Sequence, residues 1–238
     1  CVVGGSRTEV EALVKDLGLT EAPRAHDPDE TSADHACTFL AGSPDHDAMP
    51  VNCLSHALAA AICEAQGKRL VTEAEWEWAA GNRDFETTFP WGQDDEDLCR
   101  RAVRGRGRFY PLELAELVFE EINCRGGEPQ LGWGPLAGGF AEDVSDLGIR
   151  NLGGNLSEWM ADGYAEYEEP CWHDLLAIPR DPVCEQGSPE TPGLASTRGG
   201  SWPSLPIFGR VTERNAAAAA GRFHAVGVRC ALSLGATR

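Results

Sequence analysis

Positive charge is scarce in this chain of 238 residues. Its 20 Lys and Arg side chains, almost all of them Arg, stand against 38 Asp and Glu side chains, which gives a formal charge of -18. Binding to nucleic acid depends on several cationic side chains that neutralise phosphates. The composition therefore excludes nucleic acid as an expected partner.

Long apolar runs are also lacking. The longest strongly apolar stretches, such as Ala57 to Cys63, are far shorter than the roughly 20 residues that cross a bilayer. Nothing at the start of the sequence has the pattern of a signal peptide. We predict no transmembrane segment in this chain.

The common zinc-binding spacing is missing too, because no Cys-x-x-Cys pair occurs. The chain nevertheless has nine cysteines, scattered singly along its length. Scattered cysteines fit disulfides in an oxidising compartment better than a metal cluster or a reducing cytosol. We therefore expect an exported protein, located in the periplasm, at the cell surface or in the medium.

The overall composition is that of a globular protein with many loops. Apolar residues make up 42% of the chain and charged residues 24%, and 27 Gly and 15 Pro stay below the level of low-complexity sequence. No repeat and no clear linker divides the chain, so we predict a single α+β domain over 1–238, rich in insertions over 93–150. Apolar segments at 201–202 and 226–232 are predicted as strands or extended chain.

Four segments have the pattern of helices. Residues 8–18 and 72–81 each begin with a capping box and end at a glycine. Residues 54–67 carry apolar side chains at helical spacing and also end at a glycine. Residues 111–122 begin with a proline at a first-turn position and continue with the same spacing.

A set of motifs occurs in a fixed order: Gly67-Lys-Arg-Leu-Val-Thr-Glu-Ala-Glu-Trp-Glu-Trp-Ala-Ala80, Phe89-Pro-Trp-Gly92, Leu152-Gly-Gly-Asn-Leu-Ser-Glu-Trp159, Arg198-Gly-Gly-Ser-Trp202 and Gly227-Val-Arg-Cys230. Together they resemble the formylglycine-generating enzyme (sulfatase-modifying factor) family, over roughly 49–232. The resemblance implies a C-type-lectin-like α+β fold that is rich in coil and low in regular secondary structure.

The start of the chain is interpreted from the same resemblance. The family domain usually begins with a strand-rich segment upstream of anything found here, so we expect that segment to be missing from this sequence. Cys1 precedes the first predicted helix, where an interior position fits better than the alternative, the lipidated first residue of a mature lipoprotein.

The third motif has the composition of a calcium site. Asn151 and Glu158 carry oxygen ligands seven residues apart, and the glycines between them let the backbone turn inward. The resemblance implies calcium ligation by these two side chains and by the carbonyl groups of Gly154 and Leu156. The alternative is a tight turn in which Asn151 bonds to its own backbone and Glu158 is solvated.

The resemblance also implies one disulfide, between Cys63 and Cys230. Proximity along the chain adds three more pairs, although a sequence does not fix connectivity. These pairs are Cys37 with Cys53, Cys99 with Cys124 and Cys171 with Cys184, which leaves Cys1 over.

The main departure from the family pattern follows the fourth motif. As the resemblance implies, formylglycine formation needs two cysteines in this stretch, whose thiolates hold Cu(I) while oxygen is activated. The matching positions here are Ser204 and Gly209, and no other cysteine lies between Cys184 and Cys230. A serine hydroxyl is a hard ligand that stays protonated near neutral pH. We therefore expect no copper and no catalytic residue at these positions.

A second enzymatic branch with this fold, the ergothioneine-type sulfoxide synthases, takes its iron ligands from a separate helical domain. None of the six histidines here forms a compact facial triad, and that domain is absent from this sequence. Iron-dependent oxidation would therefore need a further part of the protein to supply the metal.

Aromatic and basic side chains occur in the segment that lines the substrate groove of the family. Aromatic rings beside guanidinium groups can bind a peptide, a protein or a small anionic ligand. The alternative is that the Trp is core and the Arg side chains pair with local carboxylates. The candidate ligand-binding residues are Trp202, Ser204, Phe208, Arg210, Arg214, Arg222 and His224.

These observations predict a monomeric, calcium-stabilised and disulfide-bonded module that has lost the copper cysteines and binds a ligand or protein. The excess of Arg over Lys and the abundant Ala are typical of a GC-rich bacterial genome. The alternative is an oxidoreductase of the formylglycine-generating type, or an iron-dependent one resembling the sulfoxide synthases.

Overall fold

The computed structural model describes residue 15 and residues 37–39, 48–105, 134–173 and 181–233. Apart from residue 15, which is helical, the helix predicted at 8–18 lies outside the described residues, as does the one predicted at 111–122. The helices with described bounds are α1 (His56–Glu64), α2 (Glu73–Ala80), α3 (Leu98–Arg101) and α4 (Pro170–His173), with 3-10 turns at Arg83–Phe85 and Pro206–Gly209.

The strands form one larger sheet and one small ribbon. They are β1 (Arg69–Leu70), β2 (Ser157–Gly163), β3 (Leu194–Arg198), β4 (Arg214–Ala218), β5 (Val226–Val228) and β6 (Cys230–Ala231). The sheet has the order β4-β3-β2-β5, in which β2 and β5 are parallel and the other pairs antiparallel, and β1 pairs with β6. Long connections between these short elements give the coil-rich α+β fold that the sequence predicted.

Strand β2 separates two layers of the core. Successive side chains of a strand point to opposite faces of its sheet. Trp159 packs with Leu54, Leu58 and other apolar residues around α1, whereas Met160 packs with Trp76 of α2. The motif that contains β2 is therefore buried on both faces, with a helix on each side.

Helix α2 confirms the predicted capping box. The Thr72 hydroxyl accepts a hydrogen bond from the backbone N–H of Glu75, and the Glu75 carboxylate accepts one from the backbone N–H of Thr72. Arg69 also binds the Glu75 carboxylate and holds its pKa below the usual range. The helix therefore starts at a fixed place beside β1.

Helix α1 is shorter than the sequence predicted. The side chain of Ser55 accepts a hydrogen bond from the backbone N–H of Leu58 and caps the helix, so Leu54 lies outside it. The Leu54 carbonyl instead accepts a hydrogen bond from Trp159 Nε1 at 3.1 Å. The segment 201–202, predicted as a strand or extended chain, forms no strand, because Trp202 lies in a turn.

Three of the predicted disulfides are present: Cys37–Cys53, Cys63–Cys230 and Cys171–Cys184. Cys99 is also disulfide-bonded, and its predicted partner Cys124 lies outside the described residues. The Cys63–Cys230 bond joins α1 to β6 and spans 167 residues of sequence. None of the helices in the described ranges has the length and apolar character needed to cross a membrane.

The Cys63–Cys230 disulfide should stabilise the fold more than the Cys171–Cys184 disulfide. They span 167 and 13 residues respectively. Chain entropy then predicts losses of about 5 and about 3 kcal/mol in the free energy of unfolding when each pair is replaced by Ala. Urea denaturation of the two double variants measures this difference. Equal losses, or a larger loss for the Cys171/Cys184 variant, would contradict the expected dependence on the length of the loop that each disulfide closes.

Candidate functional site

Three glycines meet where the third and fourth motifs come together. A β-carbon on Gly200 would lie 2.4 Å from the carbonyl oxygen of Gly153, and one on Gly209 would lie 2.6 Å from the same oxygen. Real β-carbons do not approach a backbone oxygen this closely. We call Gly153, Gly200 and Gly209 the glycine junction.

The side of the junction at Gly209 is filled by Arg104. A β-carbon on Gly209 would lie 3.0 Å from one terminal nitrogen of that guanidinium and 3.2 Å from the other. Arg104 is buried and lies over the stacked rings of Phe89 and Trp91. Burial lowers the pKa of Arg104 to about 10, and the nearby carboxylate of Asp143 limits the decrease.

Of the two positions that match the copper cysteines, Gly209 belongs to this junction and Ser204 lies between Gly200 and Gly209 in the sequence. The Ser204 hydroxyl is 2.5 Å from the Ser201 hydroxyl and accepts a hydrogen bond from the backbone N–H of Ser201 at 3.1 Å. The Ser204 carbonyl accepts a hydrogen bond from the backbone N–H of Gly105. Ser204 thus closes a tight turn, and Gly209 offers neither a side chain nor room for one.

The loop at Asn151 is held by a buried carboxylate. Both oxygens of Asp143 accept hydrogen bonds from the backbone N–H of Gly153, at 3.0 and 3.2 Å, and the Asp143 carbonyl accepts one from the backbone N–H of Asn151. Burial raises the pKa of Asp143 to about 6, although the bonds from Gly153 and the nearby guanidinium groups of Arg104 and Arg229 oppose the increase.

Asn151 has an unpaired oxygen. Its Oδ1 atom is buried and has no hydrogen-bond partner among the described residues. A β-carbon on Gly139 would lie 1.8 Å from that oxygen, so only glycine fits opposite it. Asn151 itself has a positive φ of 59°, a conformation that Asn and Gly tolerate best. The loop therefore presents an amide oxygen that lacks a donor.

Glu158 is buried and paired, not solvated. Arg229 Nε donates to both of its carboxylate oxygens at 2.9 Å, and Trp76 Nε1 donates to Oε2 at 3.0 Å. Burial alone would lower the pKa of Arg229, but the carboxylates of Glu158 and Asp143 hold it above its usual value. This excludes the solvated-turn alternative for Glu158.

A cavity of about 460 Å³ lies beside this loop. Asn151, Leu156, Glu158 and Arg229 are among the residues that line it. Three of the four residues predicted to bind calcium, Asn151, Leu156 and Glu158, therefore line the same cavity. Oxygen ligands suit a hard cation such as calcium. The unpaired oxygen of Asn151 favours such a site, whereas the carboxylate of Glu158 would have to be shared with Arg229.

The predicted ligand-binding residues do not all come together. Trp202 is fully buried, and its ring lies against His224, whose carbonyl accepts a hydrogen bond from Trp202 Nε1. Trp202 therefore has no surface for a ligand. Phe208 is half-buried, and Arg210 and Arg222 are exposed.

Arg214 belongs to a different set of contacts. Its Nε donates to Glu73 at 2.8 Å, and a terminal nitrogen donates to the carbonyl of Ala165 at 2.9 Å. The rings of Tyr164, Tyr167 and Trp172 surround the same guanidinium. For this arginine the structure shows the local carboxylate pairing that was the alternative to ligand binding.

Sequence reasoning missed Arg104 and Asp143. Both are buried charges at the centre of the site. Arg104 occurs among several arginines and Asp143 among several acidic residues, so neither stands out in a motif. Only the packing around the glycine junction distinguishes them from their neighbours.

Comparison with known proteins agrees with this fold. The family profile described as the sulfatase-modifying factor enzyme 1-like domain matches residues 8–234. Together with the motifs and the coil-rich α+β fold, this defines the class of the protein. The chain belongs to the formylglycine-generating enzyme (sulfatase-modifying factor) family.

The similar proteins include enzymes and an inactive form. The formylglycine-generating enzyme of Thermomonospora curvata is 32% identical over 159 residues, which are 67% of this chain and 45% of that protein. The inactive C-alpha-formylglycine-generating enzyme 2 of Bos taurus is 33% identical over 116 residues, 49% of this chain and 34% of that protein. The chain thus spans less than half the length of these relatives.

A solved structure shows the same fold. PvdO from Pseudomonas aeruginosa superposes with a TM-score of 0.58 at 22% sequence identity, over 94% of this chain and 75% of that one. At this identity the likeness establishes the fold alone.

The buried Asp143 should make stability depend on pH. Its folded-state pKa of about 6 lies above the ordinary value of 3.8. The stabilisation from the neutral form is therefore complete below the ordinary value and is lost as the pH rises through about 6. We expect the free energy of unfolding of Asp143→Asn to rise relative to the parent over this window, by at most about 3 kcal/mol.

Thermal melting of both proteins in chelator, at several pH values across the window, measures the difference. Asp146→Asn is the control for loss of one negative charge from an exposed site on the same loop. A difference between Asp143→Asn and the parent that stays constant with pH would contradict the raised pKa.

Proposed function

We propose that this chain is a non-catalytic member of its family that acts as a ligand-binding or protein-binding accessory module of an exported bacterial protein. The observation that carries the proposal is that the two positions matching the copper cysteines of the family are Gly209, in the glycine junction, and Ser204, in the turn after Gly200. Two soft thiolates are needed to hold Cu(I) there, and this site offers one hydroxyl and no second side chain.

The packing makes this loss difficult to reverse. A cysteine at Gly209 would place its β-carbon 2.6 Å from the Gly153 carbonyl and against the guanidinium of Arg104. Restoring the thiol would thus require the loop before β2 or the buried arginine to move. Arg104 fills the space that a metal-binding side chain would need.

The relatives and the disulfides support the proposal. Inactive C-alpha-formylglycine-generating enzyme 2 of Bos taurus and of Mus musculus are both among the similar proteins, so the family includes members named as inactive. Disulfides such as Cys63–Cys230 persist in oxidising compartments, which supports export.

The second candidate is an oxidoreductase of the formylglycine-generating type. It is favoured by similarity to enzymes with that name from Thermomonospora curvata and Streptomyces coelicolor. It would need a copper site that does not use the cysteine pair of the family, or a metal supplied by another part of the protein.

We also propose a structural calcium ion at the Asn151 loop. Asn151 Oδ1 and Glu158 would supply side-chain ligands, and the carbonyl groups of Gly154 and Leu156 would complete the set. The unpaired amide oxygen supports this assignment. Because Arg229 already neutralises Glu158, we expect a weak site, with a Kd of about 0.1–1 mM, as in extracellular modules with few charged ligands.

The enzymatic alternative is tested by incubating the protein with Cu(I), oxygen and a peptide that contains the Cys-x-Pro-x-Arg motif of sulfatases. We expect no aldehyde by mass spectrometry, for the parent or for Ser204→Cys. The Ser204→Cys/Gly209→Cys variant should also be inactive and should unfold at a lower temperature than Ser204→Cys. Turnover by the parent would refute the non-catalytic assignment.

The calcium site is tested by titrating chelator-treated protein with Ca²⁺ and recording heat and melting temperature. At ten times the Kd, calcium should add about 1.4 kcal/mol to the free energy of unfolding. Asn151→Gly removes the ligand but keeps the positive φ, and it should abolish this effect. Glu190→Gln, an exposed site, is the control. No heat and no stabilisation in the parent would eliminate the site.

A further inference from the structure

A second cavity, of about 520 Å³, lies on the outer face of α2. Glu73, Glu77 and Trp78 of that helix line one side, and Tyr167 and Trp172 are among the residues that line the rest. This volume is in the range of sites for small ligands. We call it the α2 cavity.

The end of the α2 cavity is held in a fixed shape. Arg83 and Glu86 line it and have positive φ values of 64° and 48°, which side-chain-bearing residues rarely adopt. Asn82 supports this turn, because its Nδ2 donates to Thr87 and to the Pro90 carbonyl while its Oδ1 accepts from the backbone of Asp146. These hydrogen bonds hold the turn that forms this end of the cavity.

Two aromatic side chains on the α2 cavity remain exposed. Trp78 is 53% exposed and Tyr167 is 54% exposed. An exposed aromatic face attracts a cation through the quadrupole of the ring and also covers apolar surface. The two rings therefore offer contact area to a ligand that is partly apolar and positively charged.

The chain already places one cation on two aromatic side chains of the α2 cavity, Tyr167 and Trp172. The Arg214 guanidinium lies 4.2 Å from the centroid of the Tyr167 ring and 5.8 Å from that of the Trp172 ring, and it pairs with Glu73. This arginine shows that the surroundings stabilise a guanidinium. The Arg214 side chain is itself buried, whereas about half of the Tyr167 surface remains exposed to solvent.

The charges that line the α2 cavity favour a single positive charge. Glu73, Glu77 and Glu86 line it, against one cationic residue, Arg83. Arg214 pairs with Glu73, and the buried Arg198 pairs with Glu77. Three guanidinium groups therefore match three carboxylates, so a highly charged polycation would gain little. Among the described residues Glu86 is the lining carboxylate without an ion pair, and it can face one cationic head group.

Glu73 retains an oxygen that lacks a donor. Its side chain is almost fully buried, and Oε1 has no hydrogen-bond partner within the described ranges. A buried acceptor without a donor is destabilising. The same ranges contain no group of three or more His, Cys, Asp or Glu that could hold a metal ion. An N–H donor from an organic ligand would satisfy this oxygen after a small shift of the side chains around it.

We propose that the α2 cavity binds a small organic monocation, a guanidinium or ammonium group on an apolar stem. The apolar stem lies between Trp78 and Tyr167, and the cationic head faces the carboxylates of Glu73 and Glu86. This site differs from the proposed calcium loop and from the glycine junction. Its failure would leave the non-catalytic assignment unaffected.

Calorimetric titration with n-butylguanidinium at low ionic strength tests the proposal. The neutral isostere n-butylurea has nearly the same shape, so it isolates the charge. We expect saturable binding of n-butylguanidinium and n-butylammonium, at least tenfold weaker binding of n-butylurea, and none of a neutral sugar, methyl glucoside. No binding of the cations, equal binding of the urea, or preferred binding of the glucoside would overturn the proposal.

Variants at exposed positions locate the site without disturbing the core. Trp78→Ala should weaken n-butylguanidinium binding about fivefold or more, through loss of the cation–π contact. Phe85→Ala is its matched control, since Phe85 is 67% exposed and is not part of the lining. Glu86→Gln should weaken binding about two- to fivefold, whereas Glu64→Gln, on α1, should not change it. Binding that is unaffected by both Trp78→Ala and Glu86→Gln would place the ligand elsewhere and refute the assignment.

Discussion

The close approach of the Gly153 carbonyl to two other glycines determines the shape of the centre of this protein. That oxygen occupies the space where Gly200 or Gly209 would carry a β-carbon, at 2.4 and 2.6 Å. The loop before β2 is therefore pressed against the segment that follows β3. The contact places the proposed calcium loop directly against Gly209, one of the two positions that match the copper cysteines of the family.

Buried arginines complete this arrangement in a chain of strongly negative charge. Arg104 lies over Phe89 and Trp91, and Arg198 lies over the Trp76 ring and pairs with Glu77. Burial lowers the pKa of both to about 10, so both stay charged at neutral pH. A buried charge with its partner removed is strongly destabilising. Replacing either arginine by an uncharged side chain should therefore destabilise the fold.

Features that depend on neighbouring residues could be predicted from the sequence. The capping box of α2 and the family motifs could be read from adjacent residues, and the Cys63–Cys230 disulfide followed from the family resemblance. The start of α1 was missed because Leu54 uses its carbonyl to accept a hydrogen bond from Trp159, 105 residues away. That bond depends on tertiary packing, which the helical spacing of Leu54 does not reveal.

The centre of the site was predictable only in part for the same reason. The absence of the two cysteines was visible in the sequence. The lack of room for a side chain at position 209 was not, because it depends on Gly153, 56 positions earlier, and on Arg104. The pairing of Arg214 with Glu73 joins residues 141 positions apart. Trp202 carries an aromatic ring of the type that binds ligands, yet it is fully buried, since its neighbours close over it.

The central proposal is that the region of Ser204 and Gly209 does not bind copper. X-ray absorption at the copper edge, on Cys1→Ala protein with its disulfides intact and supplied with Cu(I), tests it most directly. We predict that no tightly bound copper is retained and that no pair of sulfur scatterers is found at short range. Stoichiometric Cu(I) held tightly by two sulfur ligands would contradict the account.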